Sequence, residues 1–294
     1  MIELRDMQVL TALARHQHFA KAAQECGMSQ PAFSMRIRNL EERLGVSIVR
    51  RANRFQGLTE EGLMIVQRAR SILDDARALE QEISASRGEV TGTLVLGVVP
   101  SATTYAATLV DRLHQLHPRV LARIEVTTSL IIQQRLYDGT IDAGVTYADS
   151  LGRDLVKVLP LYDESYVLLA PSALVEGKGD RMTWAEAAEL PLSLLIPEMQ
   201  NRRILDLVFA DLGLKPEIVS ESNGFMASVV LARSGSAATI LPKALVEALG
   251  QLEGTRAVQL YAPDQAKPIC LAALERQPEL TSVRALRELI EAEY

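Results

Sequence analysis

Short polar and cationic side chains recur at helical spacing near the N-terminus of this 294-residue chain. Pro31, Ser34 and Arg38 are three and four residues apart, so they share one face of a predicted helix, with Gln30 and Arg36 on its flanks. In a DNA groove, glutamine can pair with adenine, arginine with guanine, and serine with either base or with phosphate. The pattern therefore predicts a helix that contacts base edges. The residues predicted to contact DNA are Lys21, Ser29, Gln30, Pro31, Ser34, Met35, Arg36, Arg38, Arg51 and Arg54.

The elements that must position this helix follow the order helix, helix, turn, helix and wing. Apolar residues at helical spacing in residues 4–15 predict the first helix. Gly27 suits the turn, Ser29 can cap the third helix, and Gly45 can end it. This order is typical of a helix-turn-helix, whose second helix enters the major groove. The pattern alone leaves open a three-helix protein-interaction module with a solvated basic face.

Charge is distributed unevenly along the chain. Residues 1–58 contain nine Lys or Arg and five Asp or Glu, a net charge of +4, whereas residues 59–294 have a net charge of −10. Arg50, Arg51 and Arg54 cluster where a two-stranded wing is predicted, and wing arginines suit phosphate or minor-groove contacts. A basic head on an acidic body favours contact with a polyanion through the head.

A long amphipathic helix is predicted from Thr59 to about Arg87. Its apolar residues alternate at intervals of four and three, which is a heptad seam and predicts a helical dimer. The alternative is an ordinary amphipathic helix that packs on its own domain. The predicted dimerisation residues are Ile65, Ala69, Ile72, Ala76, Leu79 and Ile83.

Several function classes are disfavoured by what the sequence lacks. Cys26 and Cys270 are too few for a disulfide framework, and the four histidines do not group with them as metal ligands. No Walker, GxGxxG or nucleophile-elbow motif occurs, so we expect neither an enzyme nor a cofactor or metal. No stretch of 18 apolar residues is present, and charges interrupt the N-terminal segment where a signal peptide needs apolar residues. We therefore expect a cytoplasmic protein with no membrane partner.

From Thr91 onward, predicted strands and helices alternate, which indicates an open α/β sheet. The strand candidates, among them Leu155–Leu161 and Tyr166–Ala170, are too many for one sheet. We therefore predict a body of two lobes.

The segment from Ala22 to Gly62 resembles the N-terminal signature of LysR-type transcriptional regulators. Two positions depart from that pattern: His18 replaces the usual Ser before the aromatic residue of the second helix, and Ile48-Val49 replaces Leu-Phe before the wing arginines. The matching residues, in order, are Ala22, Ala23, Ser29, Gln30, Pro31, Ala32, Ser34, Leu40, Glu41, Leu44, Gly45, Arg51, Arg54, Leu58, Thr59 and Gly62.

The resemblance, which is weaker after residue 90, implies an α+β multidomain fold. An N-terminal winged helix-turn-helix and a linker helix would precede a two-lobed α/β effector domain similar to type 2 periplasmic binding proteins. It further implies a homodimer or homotetramer on an interrupted inverted repeat in double-stranded DNA, and contact with RNA polymerase. The implied domains are 1–58 for DNA binding, 59–88 for the linker, 91–161 plus 267–294 for lobe I, and 162–266 for lobe II.

The effector is expected between the lobes, because ligands bind at the carboxyl ends of strands in open α/β sheets. Hydroxyl groups follow two such strand ends and open helices, whose free N–H groups favour anions. With an arginine from the facing lobe, they predict a small carboxylate or inorganic anion as effector. The predicted contacts are Pro100, Ser101, Ala102, Thr103, Thr128, Ser129, Thr146, Gln200, Arg202 and Phe225.

We therefore expect a sequence-specific DNA-binding regulator of transcription that is modulated by a small anionic effector. The alternative is an intracellular small-molecule binding protein with a helical interaction head. The peroxide-sensing members of the resembled family have a closely spaced cysteine pair in the body, and this chain lacks one.

Overall fold

The computed structural model describes residues 2–51, 55–152, 156–275 and 278–292. The chain forms two compact units. The first, here called the head, extends to Glu89 and includes a short segment that ends at Thr281. The second, here called the body, begins at Val90 and contains nearly all remaining residues.

The head has the predicted order of three helices and a two-stranded wing. Its core is built from the inward faces of the helices, where Leu10, Leu13, Phe33, Ile37 and Leu40 are buried. These faces pack together because burying apolar side chains removes them from water. The elements are α1 Leu4–His16, α2 Phe19–Glu25, α3 Gln30–Leu44, β1 Val49–Arg51 and β2 Phe55–Leu58.

Local capping groups set the ends of the head helices. The hydroxyl of Ser29 accepts a hydrogen bond from the backbone N–H of Ala32, which begins α3. Gly45 ends α3 in the left-handed conformation, at φ 69°. His18 caps α2, with its Nδ1 accepting from the N–H of Lys21 at 3.4 Å. His18 therefore supplies the cap that serine supplies elsewhere in the resembled pattern.

A buried carboxylate joins α3 to the wing. Oε1 of Glu41 accepts hydrogen bonds from the backbone N–H groups of Ile48 and Val49, at 2.8 and 3.1 Å. Two otherwise orphaned backbone donors at the start of β1 are thus satisfied inside the head. The wing is held at a defined distance from α3.

The linker helix α4 spans Glu60–Ala85 and is locked to the wing at its first turn. The hydroxyl of Thr59 accepts from the N–H of Gly62 at 2.9 Å and donates to the carbonyl of Ser47 at 2.6 Å. A Cβ on Gly62 would overlap the carbonyl oxygen of Ile48, so only glycine permits this approach.

The predicted heptad seam of α4 divides into two parts. Ala69 is fully buried and Ile65 is partly buried in the head core, so including Ala69 in a partner-facing seam was wrong. Packing of α4 on the head covers this part, as the alternative prediction allowed. Beyond it, Ile72, Leu79 and Ile83 are 45%, 58% and 49% exposed.

The body contains the predicted alternation of strands and helices. Its main sheet has the strand order β4, β3, β5, β12, β6, β11, β7, and β10 also pairs with β6. The first strands are β3 Gly92–Val98, β4 Val120–Val126, β5 Ala143–Tyr147 and β6 Val156–Pro171. The later strands are β7 Arg181–Thr183, β8 Leu192–Leu195, β9 Ile218–Ser222, β10 Thr239–Pro242, β11 Thr255–Tyr261 and β12 Ala266–Leu274. The helices are α5 Thr103–Leu116, α6 Ser129–Tyr137, α7 Trp184–Ala188, α8 Gln200–Asp211, α9 Phe225–Arg233, α10 Lys243–Leu249 and α11 Thr281–Glu291.

One long strand links the two lobes of the body. The sequence predicts two strands in its place, but β6 is a continuous strand of 16 residues. Its first part pairs with β12 of lobe I, and its second part pairs with β10 and β11 of lobe II. The polar stretch between the two apolar runs, which resembled a break, is the crossing between the lobes.

Candidate DNA-binding and effector sites

The outward face of α3 presents the side chains predicted to meet base edges. Gln30, Pro31, Met35 and Arg38 are exposed, and Ser34 is half-buried. Within the described part of the head, Arg38 has neither a hydrogen bond nor an ion pair, so its guanidinium can bind a guanine or a phosphate. Lys21 and Ser29 are also exposed, close in sequence to the start of this helix.

The structure corrects the prediction that Arg36 contacts DNA, because this side chain is bonded to α1 and its N-terminal cap. Its Nε donates to Asp6 Oδ1 at 2.7 Å, and its Nη2 donates to Glu3 Oε2 at 2.5 Å. Arg43 donates to the other oxygen of Asp6. Arg36 thus clamps α3 to α1, and the charge it carries is already neutralised within the head.

Asp6 is the centre of this clamp and is fully buried. Burial alone would raise its pKa, but the backbone N–H of Glu3 and the guanidinium groups of Arg43 and Arg36 outweigh that effect. The pKa of Asp6 is therefore lowered, and the carboxylate stays ionised.

The wing adds one cation that the predicted set of DNA contacts omits. Arg50 is exposed on β1. Arg54 lies outside the described residues, and only the backbone of Arg51 is described. The clustering of arginines in the sequence was the signal that pointed to Arg50.

In the body, the carboxyl ends of β3 and β4 lie side by side, because Val98 pairs with Val126 in the parallel register. Helices α5 and α6 therefore begin next to each other. Gly97 and Gly144 let α6 approach the sheet closely, since a Cβ on them would come within 3.2 and 2.5 Å, respectively, of the side chain of Ile132 on α6. This edge is where the predicted hydroxyl clusters meet.

The hydroxyls at this edge divide into engaged and free groups. Thr103 donates to the carbonyl of Pro100 at 2.9 Å, and Thr128 accepts from the N–H of Ile131 as the cap of α6. The O–H of Thr103 is thus used within its own turn, which corrects its prediction as a free ligand donor, whereas the O–H of Thr128 stays available to donate. In the described part of the body, the hydroxyls of Thr104 and Ser129 are buried without a hydrogen-bond partner, so they are better candidates.

Ser101 belongs to a buried chain of polar groups that sequence reasoning missed. Its hydroxyl lies 2.9 Å from the hydroxyl of Tyr147, which donates to Oε1 of Glu164 at 2.6 Å. Glu164 is on β6 at the crossing between the lobes and is 1% exposed. The sequence signal was the acidic pair Asp163 and Glu164 in the polar stretch between two apolar runs of β6.

Two further polar residues face the same carboxylate. Tyr166 on β6 and Asn201 at the start of α8 lie close enough to influence its pKa, but neither completes a hydrogen bond with suitable geometry. Burial raises the pKa of Glu164, and its neutral hydrogen-bonding neighbours offset only part of that effect. Among the described residues, Oε2 of Glu164 has no partner.

The arginine predicted to bind an anion is already occupied. Arg202 is buried, with Nε bonded to Asp206 and Nη1 bonded to Glu221 and to the carbonyl of Leu195, each at 2.7 Å. It neutralises two carboxylates of its own lobe, so its prediction as an effector ligand was wrong. Gln200 likewise accepts from Arg203.

Four other predicted contacts are buried or half-buried. Phe225 is part of the lobe II core with Leu195 and Leu241, so it is not a free pocket wall. Thr146 is fully buried, and strand alternation directs it away from the face that carries Tyr147. Ala102 is fully buried, and Pro100 is half-buried at the same turn.

The two cysteines are buried and belong to different units. Burial raises the pKa of Cys270 to about 12, so its thiol is protonated at neutral pH. Burial also raises the pKa of Cys26. Among the described residues, no cluster of His, Cys, Asp or Glu is suited to hold a metal ion.

The winged helix-turn-helix with its exposed cations Arg38 and Arg50, the long linker helix and the two-lobed α/β body together form a recognisable architecture. It is that of DNA-binding transcriptional regulators that carry a small-molecule binding domain. Within the described ranges, no helix is both long and apolar enough to cross a membrane.

Comparisons with known proteins identify the family. Residues 4–63 match the bacterial regulatory helix-turn-helix model of the lysR family, and residues 87–294 match the LysR substrate binding domain. The chain belongs to the LysR family of transcriptional regulators.

Relatives and solved structures agree with this assignment. The "Probable hydrogen peroxide-inducible genes activator" of Streptomyces viridosporus is 32% identical over 269 residues, 90% of this chain and 84% of the relative. A full-length OxyR variant from Pseudomonas aeruginosa has a TM-score of 0.76 at 24% identity, and the match covers 99% of this chain and 98% of that one. CbnR in complex with its target DNA has a TM-score of 0.68 at 20% identity, with complete coverage of both chains.

Proposed function

We propose that α3 binds the major groove of an interrupted inverted repeat and that the wing arginines contact phosphates beside it. The observation that carries this proposal is the outward face of α3, where Gln30 and Ser34 lie together with Arg38, which has no ion pair within the described part of the head. Base-reading side chains must be both accessible and free of internal partners. Arg36 is excluded from the proposed contacts, because Asp6 and Glu3 hold it.

Assembly of the regulator is proposed to use the exposed part of α4. The apolar stripe of Ile72, Leu79 and Ile83 is unlike the polar surface expected of a solvent-facing helix, and a second copy of α4 would cover it. A homodimer or a homotetramer of such chains would pair these stripes. Contact with RNA polymerase and a cytoplasmic location, where the chromosome is accessible, are parts of the same proposal.

The domain boundaries are a further part of the proposal. The proposed division is residues 1–58 for DNA binding, 59–88 for the linker, and 91–161 plus 267–294 against 162–266 for the two lobes. The separation of head and body near Glu89 supports it, as does the crossing of β6 between lobes.

The effector is proposed to be small, to bind between the lobes, and to carry an anionic group. Supporting this are the adjacent starts of α5 and α6 and the hydroxyls of Thr104 and Ser129, which lack partners among the described residues. Several relatives are peroxide-inducible activators. The two cysteines are poorly suited to a thiol-based peroxide response, since both are buried and Cys270 is protonated.

A gel-shift series on the full-length protein tests the DNA proposal. Ser34→Ala and Arg38→Ala each remove a base contact and should weaken specific binding by about 1–3 kcal/mol. Lys215→Ala, at an exposed position of the body, is the control and should bind like the wild type. Wild-type affinity in both head variants would show that α3 does not read DNA.

A further inference from the structure

Glu164 is an unusual acid for the interior of a binding domain. It is buried at the crossing of the lobes, and one of its oxygens lacks any partner among the described residues. The groups around it are the hydroxyls of Tyr147, Ser101 and Tyr166 and the amide of Asn201, all neutral. Within the described ranges, no arginine, lysine or histidine forms an ion pair with it. A buried carboxylate without a cation is costly, so this position suits a cationic ligand.

Asn201 makes the site more specific. It is 2% exposed, and in the described part of the chain neither its amide oxygen nor its amide nitrogen has a hydrogen-bond partner. Asn201 comes from α8 of lobe II, whereas Tyr147 comes from β5 of lobe I. The free atoms therefore gather where the two lobes meet, which is the place of the effector proposed above.

We propose that the effector carries a protonated primary amine, which binds the free oxygen of Glu164 and the amide oxygen of Asn201. A primary ammonium has three N–H donors and no acceptor. Glu164 Oε2, Asn201 Oδ1 and the hydroxyl oxygen of Tyr166 supply three acceptors without partners among the described residues. The charge of the amine compensates the carboxylate, which no neutral donor would do.

This inference rests on the proposed effector function and extends it to the chemical class of the ligand. The hydroxyl of Ser101, beside the start of α5, is joined to Glu164 through the single bridging hydroxyl of Tyr147. Ser101 is therefore two hydrogen bonds away from Glu164. One small molecule would place an anionic group at the helix starts and an ammonium group at Glu164. Together they describe a small zwitterion of the amino-acid type.

A three-way thermal-shift panel on the full-length protein tests the inference. Each amino acid is compared with its deaminated acid and its decarboxylated amine, so that each charged group is removed separately. We expect one or more amino acids to raise the Tm of the protein increasingly as the ligand concentration rises above its Kd. The deaminated acids should give a much smaller Tm shift at the same concentrations. Glu164→Gln should abolish that response, and Asn201→Ala should reduce it at least several-fold. Asp163→Asn removes a carboxylate from the neighbouring position of the same strand and should leave the response intact.

The outcomes distinguish failure of the ammonium site from failure of the proposed regulatory function. Equal shifts from amino acids and deaminated acids would overturn the ammonium site and leave an anion effector. A response retained in Glu164→Gln, or no shift with any amine, would also overturn it. Operator binding by the same wild-type preparation shows in each case that the regulatory function stands. Loss of operator binding alone would instead count against the function.

Discussion

The pKa values of two buried carboxyl groups, those of Asp6 and Glu164, are shifted in opposite directions. Asp6 meets two guanidinium groups and a backbone N–H, which outweigh burial and lower its pKa. Among the described residues, Glu164 meets neutral hydroxyl and amide groups and no cation, so burial dominates and its pKa is raised. The same chemical group is therefore held ionised as a structural anchor in the head, whereas its environment in the body disfavours the ionised form.

Glu164→Gln should change how stability depends on pH. Because the pKa of Glu164 is raised in the folded state, ionisation opposes folding once the pH exceeds the ordinary value of 4.5. The variant should match the wild type below that pH and become more stable as the pH rises through the folded pKa. Each unit of raised pKa corresponds to about 1.4 kcal/mol. Urea denaturation of both proteins across pH measures the difference.

Asp6→Asn provides the opposite sign as a control. A lowered pKa stabilises the fold above the ordinary value of 3.8, and this stabilisation is lost as the pH falls through the folded pKa. The variant should therefore be less stable than the wild type at neutral pH and approach it in acid. Parallel pH profiles for wild type and Glu164→Gln would contradict the environment assigned to Glu164.

Among the elements, α4 is packed against the head near its start and has exposed apolar residues further along. Near its start, Gly62 and Thr59 dock the helix against the wing, and Ala69 is part of the head core. Further along, Ile72, Leu79 and Ile83 are exposed. The helix therefore contacts the wing near its start and leaves an apolar stripe exposed further along.

Ile72→Asp with Leu79→Asp should separate the proposed α4 dimer. Each copy would bury two charges without partners in the assembly, which costs several kcal/mol in all. The full chain should sediment as a smaller species and bind a complete operator more weakly, since each head alone contacts a half-site. Gln67→Asp with Ser71→Asp adds the same charge to exposed positions of this helix and should keep the wild-type assembly. Unchanged sedimentation of the first double variant would exclude the stripe as an interface.

For the molecule as a whole, the separation of charge decides which part meets DNA. Residues 1–58, which contain the helix-turn-helix and the wing, have a net charge of +4, and the rest of the chain has −10. Phosphate contacts by the head release counterions, so binding should weaken steeply with salt. The acidic remainder repels DNA and limits binding to the head.

Arg51→Ala with Arg54→Ala should weaken binding to specific and random DNA alike. Removing two phosphate contacts should flatten the slope of log affinity against log salt by about 2. The matched control is Lys215→Ala with Arg233→Ala, which removes two cations from the body and should leave the slope unchanged. Filter binding over a series of salt concentrations measures it, and equal slopes in all three proteins would exclude wing contacts with phosphate.

Local signals along the chain were enough to establish the kind of regulator and the order of its elements. A cap such as Ser29 or Thr59 bonds to a backbone group three residues away, and apolar periodicity within one helix marks its inner face. Even the crossing of the lobes was visible, although its polar middle resembled a break between two strands and the structure has one.

Which polar groups are free was settled by tertiary packing alone. Arg36 is bonded to Asp6, which lies 30 positions earlier, and Arg202 is bonded to Glu221, which lies 19 positions later. Neither arginine is therefore free for the DNA or effector contact that its sequence neighbourhood predicted. Tyr147 joins Ser101, 46 positions before it, to Glu164, 17 positions after it. Residue types near one another in sequence show which contacts are chemically possible. Whether a charge is already compensated depends on strands and helices that pack from distant parts of the chain, because the energy of a buried charge is set by its nearest neighbours in space.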